Sequence, residues 1–144
     1  PNKCATVKSG DIIIADTAED LTAGKVVEVQ NIGDRVIYSG LHTMLCRPKE
    51  QLFSDGWLGF YMNSEAYHKQ LIPYIAGVKV MAISKSNIVK TYIAIPSKAE
   101  QAAIVEILST ADHEIDLLQK SIESEKQKKK ALMQLLLTVK VRVK

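Results

Sequence analysis

Asp16, Glu19 and Asp20 gather three carboxylates in one short polar stretch, the donor type of a hard-cation site. Their spacing matches no EF-hand loop, so a solvated loop is the expected state and no metal is expected. His42, His68 and His113 are the natural bases for proton transfer, but they are scattered. His42 is expected as a strand residue beside a turn, and His113, between Asp112 and Glu114, as a solvated helix residue. Cys4 and Cys46 form no CxxC pair and share no motif with a histidine base. They read as two reduced thiols, with a disulfide between them possible but unforced. The glycines stand singly at turn and cap positions, and no GxSxG, HExxH, P-loop or GxGxxG occurs. These residues point away from catalysis, and no cofactor is expected.

The elements around them form a strand-rich head. Ser9-Gly10-Asp11 is a turn that feeds Ile12, Ile13 and Ile14, a β-branched run suited to a strand covered on both faces. Residues 25–30 read as a second strand, turned by Asn31-Ile32-Gly33-Asp34 into a third over 35–39. Residues 42–47 read as a fourth, ended by Pro48. Residues 55–76 change to helical spacing, with Ser54 or Asp55 to cap, Pro73 to bend and Gly77 to stop the helix. Short strands are expected over 78–83 and 87–95. The expected class is α+β: a head over residues 1–96 with one or two helices, then a long coiled-coil helix and basic tail over 97–144.

That last segment is the strongest pattern in the chain. Ile104, Leu108, Ala111, Ile115, Leu118 and Ile122 recur at alternating steps of four and three, the seam of a coiled coil. Glu125 and Lys129 take the next two seam places, and Leu132 and Leu136 resume it. No Pro or Gly falls after Ser97, which can cap the helix with Glu100 as its partner. A helix from about residue 98 to 137 is roughly 60 Å long at ~1.5 Å per residue. The preceding head is too small to cover such a stripe, so a partner helix is expected. Residues 98–125 hold two Lys against seven acids, and residues 126–144 hold seven Lys or Arg and no acid. That polarity favours antiparallel pairing.

Composition sets the remaining bounds. The chain has 144 residues, 47 % of them hydrophobic, which suits one folded domain with an extension. No apolar run reaches the length of a membrane span or a secretory signal, so a cytoplasmic protein is expected. Pro1 in place of an initiator Met is expected of a processed or excised chain.

From residue 78 onward the order of residues resembles the conserved region of DNA-specificity subunits of type I restriction–modification systems. The matching residues are Ile93-Ala94-Ile95-Pro96, then Glu100-Gln101, Ile104, Leu108, Asp112 and Ile115-Asp116, and finally Leu132, Leu136-Leu137-Thr138. Lys8 to Ala15 is similar to the strand that opens such domains. The family closes its helix with Leu-Leu-Thr-Gly-Lys, whereas this chain has Val139 in the glycine position. Gly would release the helix in a left-handed turn, so Val139 is expected to end it differently. One recognition domain and one such helix, with a short head, are expected of a half-subunit or a fragment.

The resemblance implies a non-catalytic component that binds double-stranded DNA. It implies methyltransferase (modification) subunits as partners and, through them, the restriction subunit. It also implies a homodimer or a second half-subunit joined through antiparallel long helices, at Ile104, Leu108, Ala111, Ile115, Leu118, Ile122, Leu132 and Leu136. Loop-placed cations that would meet phosphates are Lys25, Arg35, Arg47, Lys49, Lys79, Lys85 and Lys90. Asn31, Ser39 and His42 lie near turns and could reach base edges. Ten Lys or Arg against nine acids over residues 1–97 leave the head near neutral, so weak autonomous DNA binding is expected. The alternative reading is a structural dimerisation protein whose head binds another protein.

Overall fold

The computed structural model describes residues 5–49 and 52–142; Cys4 and Lys144 lie outside them. The chain divides into two units, Pro1–Val105 and Glu106–Lys144. The class is α+β, as expected.

In the head, β1 (Ile12–Ala15) is the centre of an antiparallel sheet between β3 (Val26–Glu28) and β4 (Thr43–Cys46). Ile12 and Ile14 point into the core at 2 % and 1 % exposure, beside Val26, Trp57, Leu58, Met62, Tyr67, Leu71 and Ile83. The opposite face is only half covered: Ile13 is aligned with Val27, which is 64 % exposed. The expected strand over 35–39 is a single bridge between Thr6 and Tyr38. Arg35 folds its guanidinium onto the carbonyls of Asn31 and Ile32, which stabilises a loop instead of a ladder.

The expected helix over 55–76 is two. α1 (Trp57–Asn63) and α2 (Glu65–Leu71) part at Ser64, whose hydroxyl accepts the Tyr67 amide and starts the second helix. Pro73 falls in a 3-10 turn, Ile72–Tyr74, where a missing N–H costs little. Neither Ser54 nor Asp55 caps α1. Gly56 occupies the cap with φ 87°, and Glu28 of β3 supplies the acceptor, taking the Gly56 and Gly59 amides at 2.6 and 2.8 Å. Asn63 closes the same junction, its amide bonded to both the N–H and the C=O of Val26.

A second small sheet has β2 (Thr17–Ala18), β6 (Met81–Ala82) and β5 (Ala76–Gly77) in that order. A side chain at Gly77 would collide with the Val80 carbonyl, so the tight hairpin requires glycine. The strand expected over 87–95 does not form. α3 (Lys85–Ile88) occupies its start, and residues 89–97 are irregular. Side chains replace the ladder there: Gln70 bonds the Tyr92 N–H and C=O, and Thr91 bonds Tyr67 Oη.

α4 spans Lys98–Leu137, as the periodicity predicts. Ser97 Oγ accepts the Glu100 amide at 3.3 Å. The first two turns belong to the head. There Gln101 is fully buried, donating to Leu52 O and Pro96 O and accepting from Ser54 N. In the second unit, Val139, two residues past the end of α4, has φ 57°, and Leu135 O accepts both the Lys140 and Val141 amides. This is the left-handed release that a valine is expected to avoid; the closing hydrogen bonds hold a β-branched residue in it.

Candidate nucleic-acid interface

The turn before β1 organises the most polar part of the head. Asp11, 1 % exposed, receives Arg47 Nε and NH2 at 2.7 Å each and the Lys8 amide at 2.7 Å. The Arg47 hydrogen bonds, working against the cost of burial, hold the Asp11 carboxyl below its ordinary range. Arg47 NH2 also donates to Thr6 O at 3.0 Å, while 45 % of the side chain stays exposed. Beside this pair lies an open depression of about 280 Å³ that brings Lys8, Arg47 and Lys49 together with Asp11, Glu28 and Asp55. Cations and acids balance there, so the depression has no strong field of either sign. Lys8 is the cation that sequence reasoning passed over; its position just before the Ser9-Gly10-Asp11 turn was the available signal.

The other candidate cations divide into two sets. Lys25, Lys49, Lys79 and Lys85 are exposed. Lys79 lies in the β5–β6 turn between Val78 and Val80, which are 96 % and 56 % exposed. Arg35 and Lys90 are engaged locally. Arg35 binds its own loop, and Lys90 bonds Asn87 Oδ1 at 3.0 Å and lies 5.1 Å from the centre of the Tyr74 ring.

The turn residues named for base contact include two strained positions. Asn31 and His42 have φ of 52° and 61°, and both are exposed. His42 Nδ1 lies 3.6 Å from Asp16 Oδ1, a buried oxygen of a half-buried side chain, with no hydrogen-bond partner. Asp20 takes the Thr22 amide, and the described residues contain no cluster of three or more metal-type donors. The Cys46 thiol is half-buried, and burial raises its pKa, the opposite of an activated nucleophile.

On the seam, Ile104 is half-buried against the head core. Farther along, Leu108, Ile115, Leu118, Ile122, Leu132 and Leu136 are 39–64 % exposed, and Ala111 is exposed too. No helix among the described residues is long and apolar enough to cross a membrane.

Residues 2–127 match the family described as type I restriction modification DNA specificity domain. The chain is similar to the specificity subunit of the type I restriction enzyme MjaVIII of Methanocaldococcus jannaschii, with 28 % identity over 141 residues, 96 % of this chain and 32 % of that protein. It is also similar to the specificity subunit of a putative type I restriction enzyme, MjaX, of the same organism, with 38 % identity over 91 residues, 62 % of this chain and 21 % of that protein. The chain thus spans about a third or less of the length of these curated relatives.

Proposed function

The chain belongs to the family of type I restriction modification DNA specificity domains, and on that premise we propose that its head reads part of a divided DNA target while α4 serves as spacer and scaffold. The observation that carries this reading is the extent of the family match, which takes in the head and the first thirty residues of α4 together. The protein itself performs no bond-breaking step; methyltransferase subunits docked on the helices supply the chemistry and link to the restriction subunit.

The exposed cations Lys25, Lys49, Lys79 and Lys85 would meet phosphates and set register, and Asn31, Ser39 and His42 would supply base-edge donors and acceptors. Arg35, Arg47 and Lys90 would hold loops in place more than touch phosphate, because each already has a partner. A near-neutral head binds weakly alone. Affinity then comes from joining two heads through their helices, since the second contact becomes intramolecular. Ile104, Leu108, Ala111, Ile115, Leu118, Ile122, Leu132 and Leu136 are the proposed helix–helix interface.

The test is an exchange of heads. Residues 1–97 are replaced by those of another family member, α4 is retained, and the methylated sequence is mapped after co-expression with the methyltransferase subunit. A changed sequence supports DNA reading by the head. An unchanged one would refute it and favour a head that binds protein through exposed apolar groups such as Val78 and Tyr92.

A further inference from the structure

We propose that His42 reads DNA as a hydrogen-bond acceptor, taking the exocyclic amine of adenine or cytosine in the major groove, and that Asp16 is the positioning residue that fixes this role. The inference deepens the DNA-reading role proposed above and rests on it. His42 lies in the turn over residues 40–43, at the end of the sheet where Ala15 is aligned with Thr43 and donates its amide to Lys25 O. Two bonds hold this turn. The Asp16 amide donates to His42 O at 3.1 Å, and Thr43 Oγ1 donates to Gly40 O at 2.6 Å. They keep His42 at φ 61°, a left-handed conformation that is unfavourable for a residue with a Cβ.

The strained turn sets the imidazole beside a carboxylate that has nothing else to bind. His42 Nδ1 faces the buried, unpartnered Asp16 Oδ1, while 64 % of the His42 side chain stays exposed. At 3.6 Å the two atoms attract without a formed hydrogen bond, and a small turn of the ring closes the gap. A carboxylate oxygen only accepts. In the neutral ring the proton therefore belongs on Nδ1, towards Asp16, and Nε2 across the ring keeps its lone pair. Asp16 thus makes His42 an acceptor.

A lone acceptor selects a base by one group. Adenine N6 and cytosine N4 present a donor where guanine O6 and thymine O4 present an acceptor on the major-groove edge. An Nε2 lone pair at that place accepts A or C on the strand it faces and rejects G or T. The rest of the turn suits such a contact. Leu41, beside His42, is 88 % exposed and can pack on a sugar or a thymine methyl. Lys25 is exposed at the same end of the sheet, where it can hold a phosphate and set the register.

The experiment uses the full chain in complex with its methyltransferase subunit. The complex methylates a pool of random-sequence duplex DNA, and the modified sites are sequenced for wild type, His42→Lys and Asp16→Ala. Trp57 fluorescence confirms the head is folded. Lysine only donates. His42→Lys should therefore turn a preference for A or C at one position into one for G or T, each roughly tenfold, and leave the rest of the site unchanged. Asp16→Ala keeps both backbone bonds of residue 16 and should level the preference at that same position, because either ring nitrogen can then carry the proton. Unfolding of His42→Lys leaves the decision to Asp16→Ala, which does not touch the strained residue. A wild-type preference for G or T at the altered position, a site that neither variant alters, or a preference that survives Asp16→Ala intact would each overturn the proposal. Methylation by wild type without any sequence preference would instead refute DNA reading by this chain, and the proposal would fall with it.

Discussion

The head and the second unit are held by interactions of opposite range. In the head the decisive side-chain bonds join residues far apart in the chain: Glu28 to Gly56, Asp11 to Arg47, Val26 to Asn63, Ser54 to Gln101. In the second unit they reach three or four residues, as from Gln127 to Glu123, Lys128 to Glu125 and Thr138 to Gln134. A unit built on local bonds forms its backbone without a core but leaves its apolar stripe uncovered. A unit built on distant bonds buries a core but depends on a few polar pins. The two should therefore fail separately.

The largest expected effect is on the stripe. Ile115→Asp together with Leu118→Asp places four carboxylates in the seam of a pair, at a cost of several kcal/mol, on the order of a 100-fold weaker self-association. Sedimentation should show monomer, while Trp57 fluorescence stays native. Unfolding of the head by this change would break the contrast between the two units.

Gln101→Ala attacks the head. It removes the partner of Ser54 N–H, Leu52 C=O and Pro96 C=O, and leaving these part-buried groups unpaired costs about 2 kcal/mol in all. The urea midpoint of the head should fall while self-association persists. An unchanged midpoint would remove Gln101 as a pin.

Asp11→Asn is expected to cost about 2 kcal/mol, tempered by the exposure of Arg47. The wild-type carboxyl has a folded pKa below its ordinary 3.8. Its stabilisation is therefore complete above that value and is lost as pH falls through the lower, folded value. Acid titrations of stability should show this loss in wild type and not in the variant. Parallel curves would contradict the assignment.

The smallest effect is at the end of α4. Val139→Gly relieves a left-handed β-branched residue, partly offset by glycine's greater freedom when unfolded, for a net gain of under about 1 kcal/mol. Hydrogen exchange at the Lys140 and Val141 amides should slow. Faster exchange would mean that valine is not strained there.

This difference in range also explains what could be read from the sequence. The bounds of α4 and its Ser97 cap follow from local spacing alone, as do β1, β3 and β4. The break at Ser64 depends on Ser64 capping α2 in preference to helix continuation through Asn63, whose amide is drawn to Val26 in β3. The irregular course of residues 89–97 depends on Gln70, far back in the chain. At the candidate interface, the cationic residues are visible by type and loop position. That Arg47 is drawn to Asp11 and Lys90 to Asn87 and Tyr74 depends on folded geometry, which spacing does not encode. The Gly56 cap is the clearest case: nothing near residue 56 announces Glu28 as its acceptor.

Sedimentation equilibrium of the purified chain over a wide concentration range tests the central claim most directly. A reversible dimer with a folded head is the predicted result. A monomer at every concentration would mean that the exposed stripe of α4 seeks no second copy, and the account of the helix as an assembly element would fail.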